Sequence, residues 1–446
     1  MSSLHAVMES LAEYGPQGIA QFQESLDPEW IDAALQATGT ASIRRRKLPA
    51  EQAVWLVLGM SLLADRSICS VVEHLDLVLP SVHSLASSAI PQARSRLGAA
   101  PMKYLFEKVA QEYANSKGLS GYCGFSLHAV DSTCMRLQDS DDNFAYFGKP
   151  GGRNGKSDAG YPQLRVATLM NLATRIIEHA SFGPYATSEH TLARVFWAEI
   201  PDKSITIMDR GFINYKAFIE YIESGAEKHI LVRMKSKLTY QVLEILPDGS
   251  ILATIHPTAS VKRENQGIRD SLTVRIIEYQ HDEGKPCRIM TTLIDHVKYS
   301  AKSLIELYHE RWEIEISYDE IKTHMLETKE CLRSKKPVLV EQELWGLLLT
   351  YNLVRREMLL AAEEHQLPPA RISFRSSLLW IRNFWLTAWR TNPYNIPKHL
   401  GQLRSTLDVL ILPERRSKRR YPRHVKIKMS NFKRNRGNRI LVDKKA

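Results

Sequence analysis

Between residues 125 and 233 the apolar residues fall in short runs, and two of those runs stop at an aspartate. Phe125-Ser-Leu-His-Ala-Val leads into Asp131, and Ser204-Ile-Thr-Ile-Met leads into Asp209. Short apolar runs with β-branched content, bounded by polar residues, read as buried strands. Tyr161–Asn171 and Arg175–Phe182 read as two further strands, and His229–Arg233 as another. His190–Glu199 is helix-like, and Asn214–Ser224 is an amphipathic helix. Three strands, a helix, a strand, a helix and a strand imply a mixed sheet flanked by helices. The Gly- and Asp-rich stretch Asp139–Gly160 reads as a mobile loop.

The flanks differ from this core. Residues 1–120 read as helical, with Ala53, Leu56, Val57, Met60 and Leu63 at a helical period. Ser87 or Ser88 caps a further helix with Pro91 in its first turn, carrying Arg94 and Arg96. That helix is either a DNA-reading element or an ordinary surface helix. Asn115–Gly121 reads as a linker. Residues 234–300 carry short alternating runs, Tyr240–Leu246 and Leu272–Tyr279, with a turn at Pro247-Asp-Gly249, and read as a β-rich insertion. Helices return from Ser303, and Glu341–Met358 is apolar enough to pack in the core. Residues 414–446 form a basic tail with fourteen Lys or Arg against Glu414 and Asp443, the composition of a disordered or phosphate-tracking segment. The expected division is therefore a helical region 1–120, a core 121–233, an insertion 234–300, a second core part 301–360, and a helical and basic region 361–446.

The net charge of +11 and sequence pI near 9.3 favour a polyanionic partner, because basic side chains displace counterions condensed on phosphates. The five cysteines are scattered without a C-x-x-C pair, which argues against a disulfide framework or a zinc site. The N-terminal stretch lacks the pattern of a signal peptide. The longest apolar run, Ala53–Ala64, falls short of the roughly 20 residues that span a bilayer. A cytoplasmic protein without membrane contact is expected. No phosphate-binding P-loop motif occurs, so no ATP requirement follows.

Phosphodiester chemistry needs charge neutralisation and an activated oxygen nucleophile, which two divalent ions about 3.5–4 Å apart supply. Magnesium prefers carboxylate oxygens, so the chain must bring carboxylates together from distant segments. Asp131 and Asp209, at the ends of strands, can meet if those strands are neighbours; taken singly, each is more often a cap or turn residue. A third carboxylate lies in Tyr308–Lys322. Tyr308, Arg311, Glu315 and Lys322 are spaced by 3, 4 and 7, which puts them on one face of a helix. That face suits a metal beside a phosphate, with Glu315 as ligand and Arg311 and Lys322 on phosphate oxygens. It equally suits a solvated ladder of i,i+4 ion pairs, to which Glu313, Asp319 and Glu320 would belong. His128 and His190 read as structural histidines, Trp345 as core, and Trp380, Trp385 and Trp389 as packing residues.

Tyr-x2-Arg-x3-Glu-x6-Lys, met by Tyr308, Arg311, Glu315 and Lys322, resembles the signature of the IS4 family of bacterial insertion-sequence transposases. Ala129–Thr133 (AVDST) and Met208–Phe212 (MDRGF) resemble the segments around that family's two aspartates, and Arg333–Arg355 resembles the helix after its glutamate. The resemblance runs from about residue 25 to about residue 425. It implies an α/β fold with an RNase H-like mixed-sheet core, a β-rich insertion, and helical flanking regions. It implies that Asp131, Asp209 and Glu315 bind two Mg2+ ions, with Mn2+ as a substitute, and that Tyr308, Arg311 and Lys322 position DNA phosphates. The implied partners are transposon-end DNA, target DNA and further copies of the chain, at the nucleoid. The implied reaction is cleavage at the element ends followed by transfer of the 3′-hydroxyl strands. Family members stabilise a flipped base with a Trp of the insertion; this chain has no Trp between residues 230 and 300, where Tyr240 and Tyr279 are the stacking candidates. A nuclease without strand transfer and a non-catalytic sequence-specific DNA-binding protein are the rival readings.

Overall fold

In the computed structural model the described residues are 26–41, 48–75, 77, 86, 88–114, 121–150, 160–280, 286–327, 331–387 and 411–412. The basic tail, the linker residues 115–120 and Trp389 lie outside them. The chain divides into Met1–Ile411 and Leu412–Ala446, and every element below belongs to the first unit.

Among the described residues five helices come first: α1 (Pro28–Ala37), α2 (Ala50–Leu62), α3 (Ile68–His74), α4 (Ala89–Leu97) and α5 (Ala100–Ala114). The core then runs β1 (Ser126–Leu137), α6 (Asp141–Phe147), β2 (Gln163–Asn171), β3 (Ile177–Pro184), α7 (Glu189–Ala193), β4 (Ser204–Met208), α8 (Tyr215–Glu223) and β5 (Lys228–Arg233). Next come β6 (Gln241–Ile245), β7 (Ile251–Ile255), α9 (Ala259–Glu264), β8 (Leu272–Gln280) and β9 (Pro286–Thr291). The remainder is α10 (Ala301–His309), α11 (Trp312–Asp319), a π-turn at Glu320–Met325, β10 (Cys331–Leu332), α12 (Pro337–Glu364) and α13 (Phe374–Thr387). Several starts are capped as their sequences dictate: Ser188, Asn214 and Ser300 accept backbone N–H groups in the first turns of α7, α8 and α10.

The strands form one mixed sheet in the order β3-β2-β1-β4-β5-β9-β8-β7-β6, with β10 on β1. β2 runs antiparallel to both β1 and β3, while β4 and β5 run parallel to β1. The expected order of strands and helices therefore holds, with three differences. The Asp139–Gly160 stretch contains α6, started by Ser140, whose hydroxyl accepts from Asn143 N. The residue 234–300 segment does not fold apart from the core: β9 pairs antiparallel with β5, so the insertion lengthens the same sheet. β1 does not stop at Asp131 but runs on to Leu137.

Alternation along the strands divides the core between the two faces of the sheet. Ala129, Val166, Met170 and Ile207 face one cluster, shared with α2, α5 and α12; Val130, Ala167, Leu169 and Met208 face another, with Phe196, Phe218 and Tyr221. α12 is buried along most of its length, the fate of a helix apolar on all sides. Gly346 lets it touch α2, since a β-carbon there would lie 2.4 Å from Val57 Cγ1. Arg94 takes no part in an exposed face. It is buried, donating to Gln342 Oε1 (2.9 Å), Ser334 Oγ (2.9 Å) and Leu339 O (3.1 Å), which ties α4 to the start of α12 and removes it as a DNA-reading side chain. Trp345 is in the core as expected, whereas Trp380 is exposed. No helix among the described residues is long and apolar enough to cross a membrane.

A side chain of α12 helps to fasten the edge strand β3. Buried Asn352 on α12 donates to Ile177 O (2.8 Å) and accepts from Ile177 N (3.0 Å). Asn352→Leu strands both backbone groups, each costing roughly 1–3 kcal/mol when buried unpaired. The variant should unfold at clearly lower urea concentration than the wild type in an equilibrium denaturation.

Candidate functional site

β1 and β4 pair in register from Ser126 opposite Ser204 to Val130 opposite Met208. Asp131 and Asp209 are the next residue on each strand, so the two aspartates follow the last matched pair of adjacent parallel strands. β1 continues, held on its other side by β2 with Asp131 opposite Thr168. It regains a partner on the β4 side only at Arg136, opposite Cys331 of β10. An edge therefore opens in the sheet from Asp131 to Met135.

The segment after α10 packs over β1 beside that edge. Tyr318 Oη donates to Asp131 O (2.7 Å) and lies 2.7 Å from Thr168 Oγ1, and Lys322 Nζ donates to Thr133 Oγ1. Tyr318 and Lys322 are thus the posts that seat the helix of Glu315 on β1. The expectation of one continuous helix is corrected: α10 ends at His309, α11 starts at Trp312 with Arg311 at its cap position, and the π-turn carries Lys322. The face is not a solvated ladder either. Glu313 is buried with Arg175 (2.6 Å), and Glu320 is buried with Arg355 and accepts from Tyr351 Oη at 3.2 Å. Of the acids assigned to a solvated ladder, only Asp319 is exposed, accepting from Thr323 at 2.8 Å.

Arg311 is the cation among the carboxylates. Its guanidinium is 2.6 Å from Glu315 Oε1 and 4.0 Å from Asp131 Oδ2. Burial pushes the Asp131 carboxyl up to about 6, against the Ser132 amide and Arg311, which pull it down; the Glu315 and Asp209 charges add to the rise. Burial also pushes the Tyr308 phenol up to about 12. Arg311 lies over the Tyr308 ring, 5.9 Å from its centroid, and the buried Tyr308 hydroxyl finds no hydrogen-bond partner among the described residues. The structure thus brings Asp131, Asp209, Glu315, Tyr308 and Arg311 within mutual electrostatic reach, with Lys322 docked on β1 beside them.

Among the described residues no three acidic, histidine or cysteine side chains close around one point as a preformed metal cage. The donor set nevertheless fits a hard divalent cation: three carboxylates repel one another in a half-buried cleft, and a guanidinium now supplies the positive charge. Asp131, Asp209 and Glu315 are the residues that would hold it.

Three side chains that the sequence did not single out stand here. Tyr318 fastens the carbonyl of Asp131. Glu189, the first residue of α7, accepts from Ser132 Oγ (2.9 Å). Trp312, next to Arg311, is 57% exposed. Their signal in the sequence is adjacency alone: Tyr318 three residues after Glu315, Trp312 beside Arg311, Glu189 after a capping serine. His128 is a satisfied core histidine, between Glu178 Oε2 (2.9 Å) and Ser126 Oγ (3.0 Å). His190 holds Gly211 O at 3.0 Å.

Residues 123–353 match the family model "Transposase DDE domain", and residues 16–107 match "Insertion element 4 transposase N-terminal". The mixed sheet is therefore the RNase H-like core of a DDE transposase, a metal-dependent polynucleotidyl transferase and endonuclease that acts in DNA transposition. The Escherichia coli (strain K12) protein "Transposase InsG for insertion sequence element IS4" is 34% identical over 403 residues, 90% of each chain. The chain belongs to the IS4 family of insertion-sequence transposases. A cryo-EM structure of the piggyBac transposase synaptic complex with hairpin DNA aligns over 89% of this chain and 86% of that one, at TM-score 0.45 and 9% identity.

Tyr318→Phe leaves the buried Thr168 hydroxyl without its partner and removes one donor to the Asp131 carbonyl, at a cost of roughly 1–3 kcal/mol. Hydrogen exchange should quicken in α11 by about tenfold or more, as that stabilisation is lost, while β2 and α12 keep wild-type protection.

Proposed function

We propose that this transposase binds the terminal repeats of its element, cleaves the phosphodiester bonds at the element ends, and joins the 3′-hydroxyl strands to target DNA. In this reading Asp131, Asp209 and Glu315 are the catalytic, metal-binding carboxylates, and the metal is a pair of Mg2+ ions that Mn2+ can replace. The observation that carries it is the register of β1 and β4, which aligns the two aspartates on neighbouring strands, with the helix of Glu315 held on β1 beside them. Bound divalent ions supply charge neutralisation and an activated oxygen nucleophile.

The side chains prepare that chemistry. Tyr308, with its orphaned hydroxyl, is a ready donor to a phosphate oxygen. Arg311 exchanges its Glu315 partner for a phosphate as DNA enters, which frees the carboxylate. Lys322 bonds Thr133 at the rim and adds a second cation for the strand. The helices of residues 1–120 and the basic tail are the proposed contacts to the element ends, with the net charge of +11 as the support for a polyanionic partner. Two element ends require more than one copy of the chain, and the reaction is placed in the cytoplasm at the nucleoid.

The test is cleavage of DNA carrying the element's own ends, with magnesium, by wild type and Glu315→Gln. Gln preserves shape and removes the charge. Cutting by wild type alone, with both proteins folded and bound, is expected, with a rate loss of about a thousandfold or more, on the order of 4 kcal/mol of transition-state stabilisation. Equal cutting by both rejects the three-carboxylate site. Binding without cutting by either favours a DNA-binding protein, and cut ends that never appear in a joined product favour a nuclease.

Lys322→Gln should weaken DNA binding evenly across sequences. The slope of log affinity against log salt should fall by about 1, the signature of one lost phosphate contact. Fluorescence anisotropy at several salt concentrations reads both quantities.

A further inference from the structure

A fourth carboxylate faces the same cleft. Glu189 follows the capping Ser188 on α7 and directs its two oxygens differently. Oε2 accepts from Ser132 Oγ at 2.9 Å, and Ser132 is the residue whose amide binds Asp131 Oδ1 at 2.7 Å. Oε1 has no hydrogen-bond or ion-pair partner among the described residues and lies over Gly211, two residues after Asp209. A β-carbon on residue 211 would sit 2.7 Å from Glu189 Oε1 and 3.9 Å from Asp209 Oδ2. The missing side chain at 211 is therefore what gives the two carboxylates common space. The loop is held in that position by His190, the next residue on α7, whose Nε2 bonds Gly211 O at 3.0 Å.

A helix-capping role does not explain this placement. The N-cap bond of α7 is made by Ser188, and no lysine or arginine among the described residues pairs with Glu189. By contrast, Glu313 and Glu320 on the neighbouring segment each have a buried arginine. A carboxylate with one oxygen fixed and the other open toward a second carboxylate is a half-built oxygen site for a hard cation. We propose that Glu189 is a further acidic residue of the divalent-cation site, sharing an ion with Asp209 while its bond to Ser132 couples it to Asp131. The proposal rests on the reading of Asp131, Asp209 and Glu315 as metal-binding carboxylates. It adds a residue from the α7 side of the sheet, opposite the segment that carries Glu315.

The test is binding of Mn2+ to the full chain without DNA, followed as the rise in melting temperature with metal concentration and, independently, by isothermal titration calorimetry. Glu189→Gln keeps an oxygen for Ser132 and removes the charge. Its metal-free melting temperature should match or exceed the wild type, because a repelling charge is gone. Its Mn2+ midpoint should move up by about tenfold or more, the range seen when a group supporting a metal site is lost. Gly211→Ala, whose β-carbon displaces the Oε1 atom, should shift the midpoint in the same direction. The double variant should then lose little beyond the larger single effect, because both act on one contact. A Glu189→Gln midpoint equal to wild type, with Glu315→Gln strongly weakened, overturns the role of Glu189 and leaves the three-carboxylate reading standing. Unchanged midpoints in both overturn the three-carboxylate reading itself. A Glu189→Gln protein that melts early without metal yet binds Mn2+ normally assigns Glu189 to the fold and also overturns the proposal.

Discussion

β1 is twelve residues long and β4 only five, and that mismatch shapes the cleft. Where β4 ends, the backbone of β1 from Asp131 onward loses its ladder partner on one side, and buried backbone groups cannot be left unpaired without a cost comparable to a lost hydrogen bond. The sheet does not close the gap with another strand. Side chains of the segment after α10 pack over β1 and β2 instead, Tyr318 on the carbonyl of Asp131 and the hydroxyl of Thr168, Lys322 on the hydroxyl of Thr133. These contacts hold a glutamate-bearing segment, 187 residues away in the chain at Tyr318, against the two aspartates.

The seat is made rigid by charge. Glu313 and Glu320 stand two residues before and five after Glu315, and each is locked to a buried arginine, Arg175 on the β2–β3 turn and Arg355 on α12. Buried pairs such as these add little net stability compared with apolar packing, but breaking one strands a charge at a cost of roughly 3–5 kcal/mol. They therefore fix which way the segment faces more than how strongly it binds. The π-turn that begins at Glu320 changes the phase of the helix, and Lys322 within it bonds Thr133.

The strand order of the core and the apolar α12 were legible in the sequence because period and burial write themselves into residue type. Four residues of the candidate site, Tyr308, Arg311, Glu315 and Lys322, stood out as a spacing, and Asp131 and Asp209 as the ends of short apolar runs. What the spacing hid was physical: Tyr308 to Lys322 is a helix, a break, a second helix and a π-turn, and local propensity gives no warning of a break that exists to satisfy tertiary partners. The misreading of Glu313 and Glu320 as a solvated ladder has the same origin, since their arginines lie more than thirty residues away, beyond any i,i+4 pattern. Arg94 was open to a DNA-reading role because an arginine on a short helix carries no mark of burial; its partners sit about 240 residues downstream. Asp131 was taken for a strand end when only its pairing to β4 ends there.

Arg311 links the folding problem to the functional one. Burial raises the affinity of the Asp131 carboxyl for a proton, and the nearby Glu315 and Asp209 charges add to the rise. A folded chain without metal needs a cation in that space, and the guanidinium between Glu315 and Asp131 is that cation. A guanidinium pairs with carboxylate and with phosphate in the same forked geometry, so the exchange costs little directional rearrangement. On the proposed reading, the DNA phosphate that draws Arg311 away also removes the charge that had been neutralising the acids. Metal affinity and DNA binding are then coupled through one side chain, and the carboxylates present their full negative charge to a divalent ion only when a phosphate has arrived to be cut.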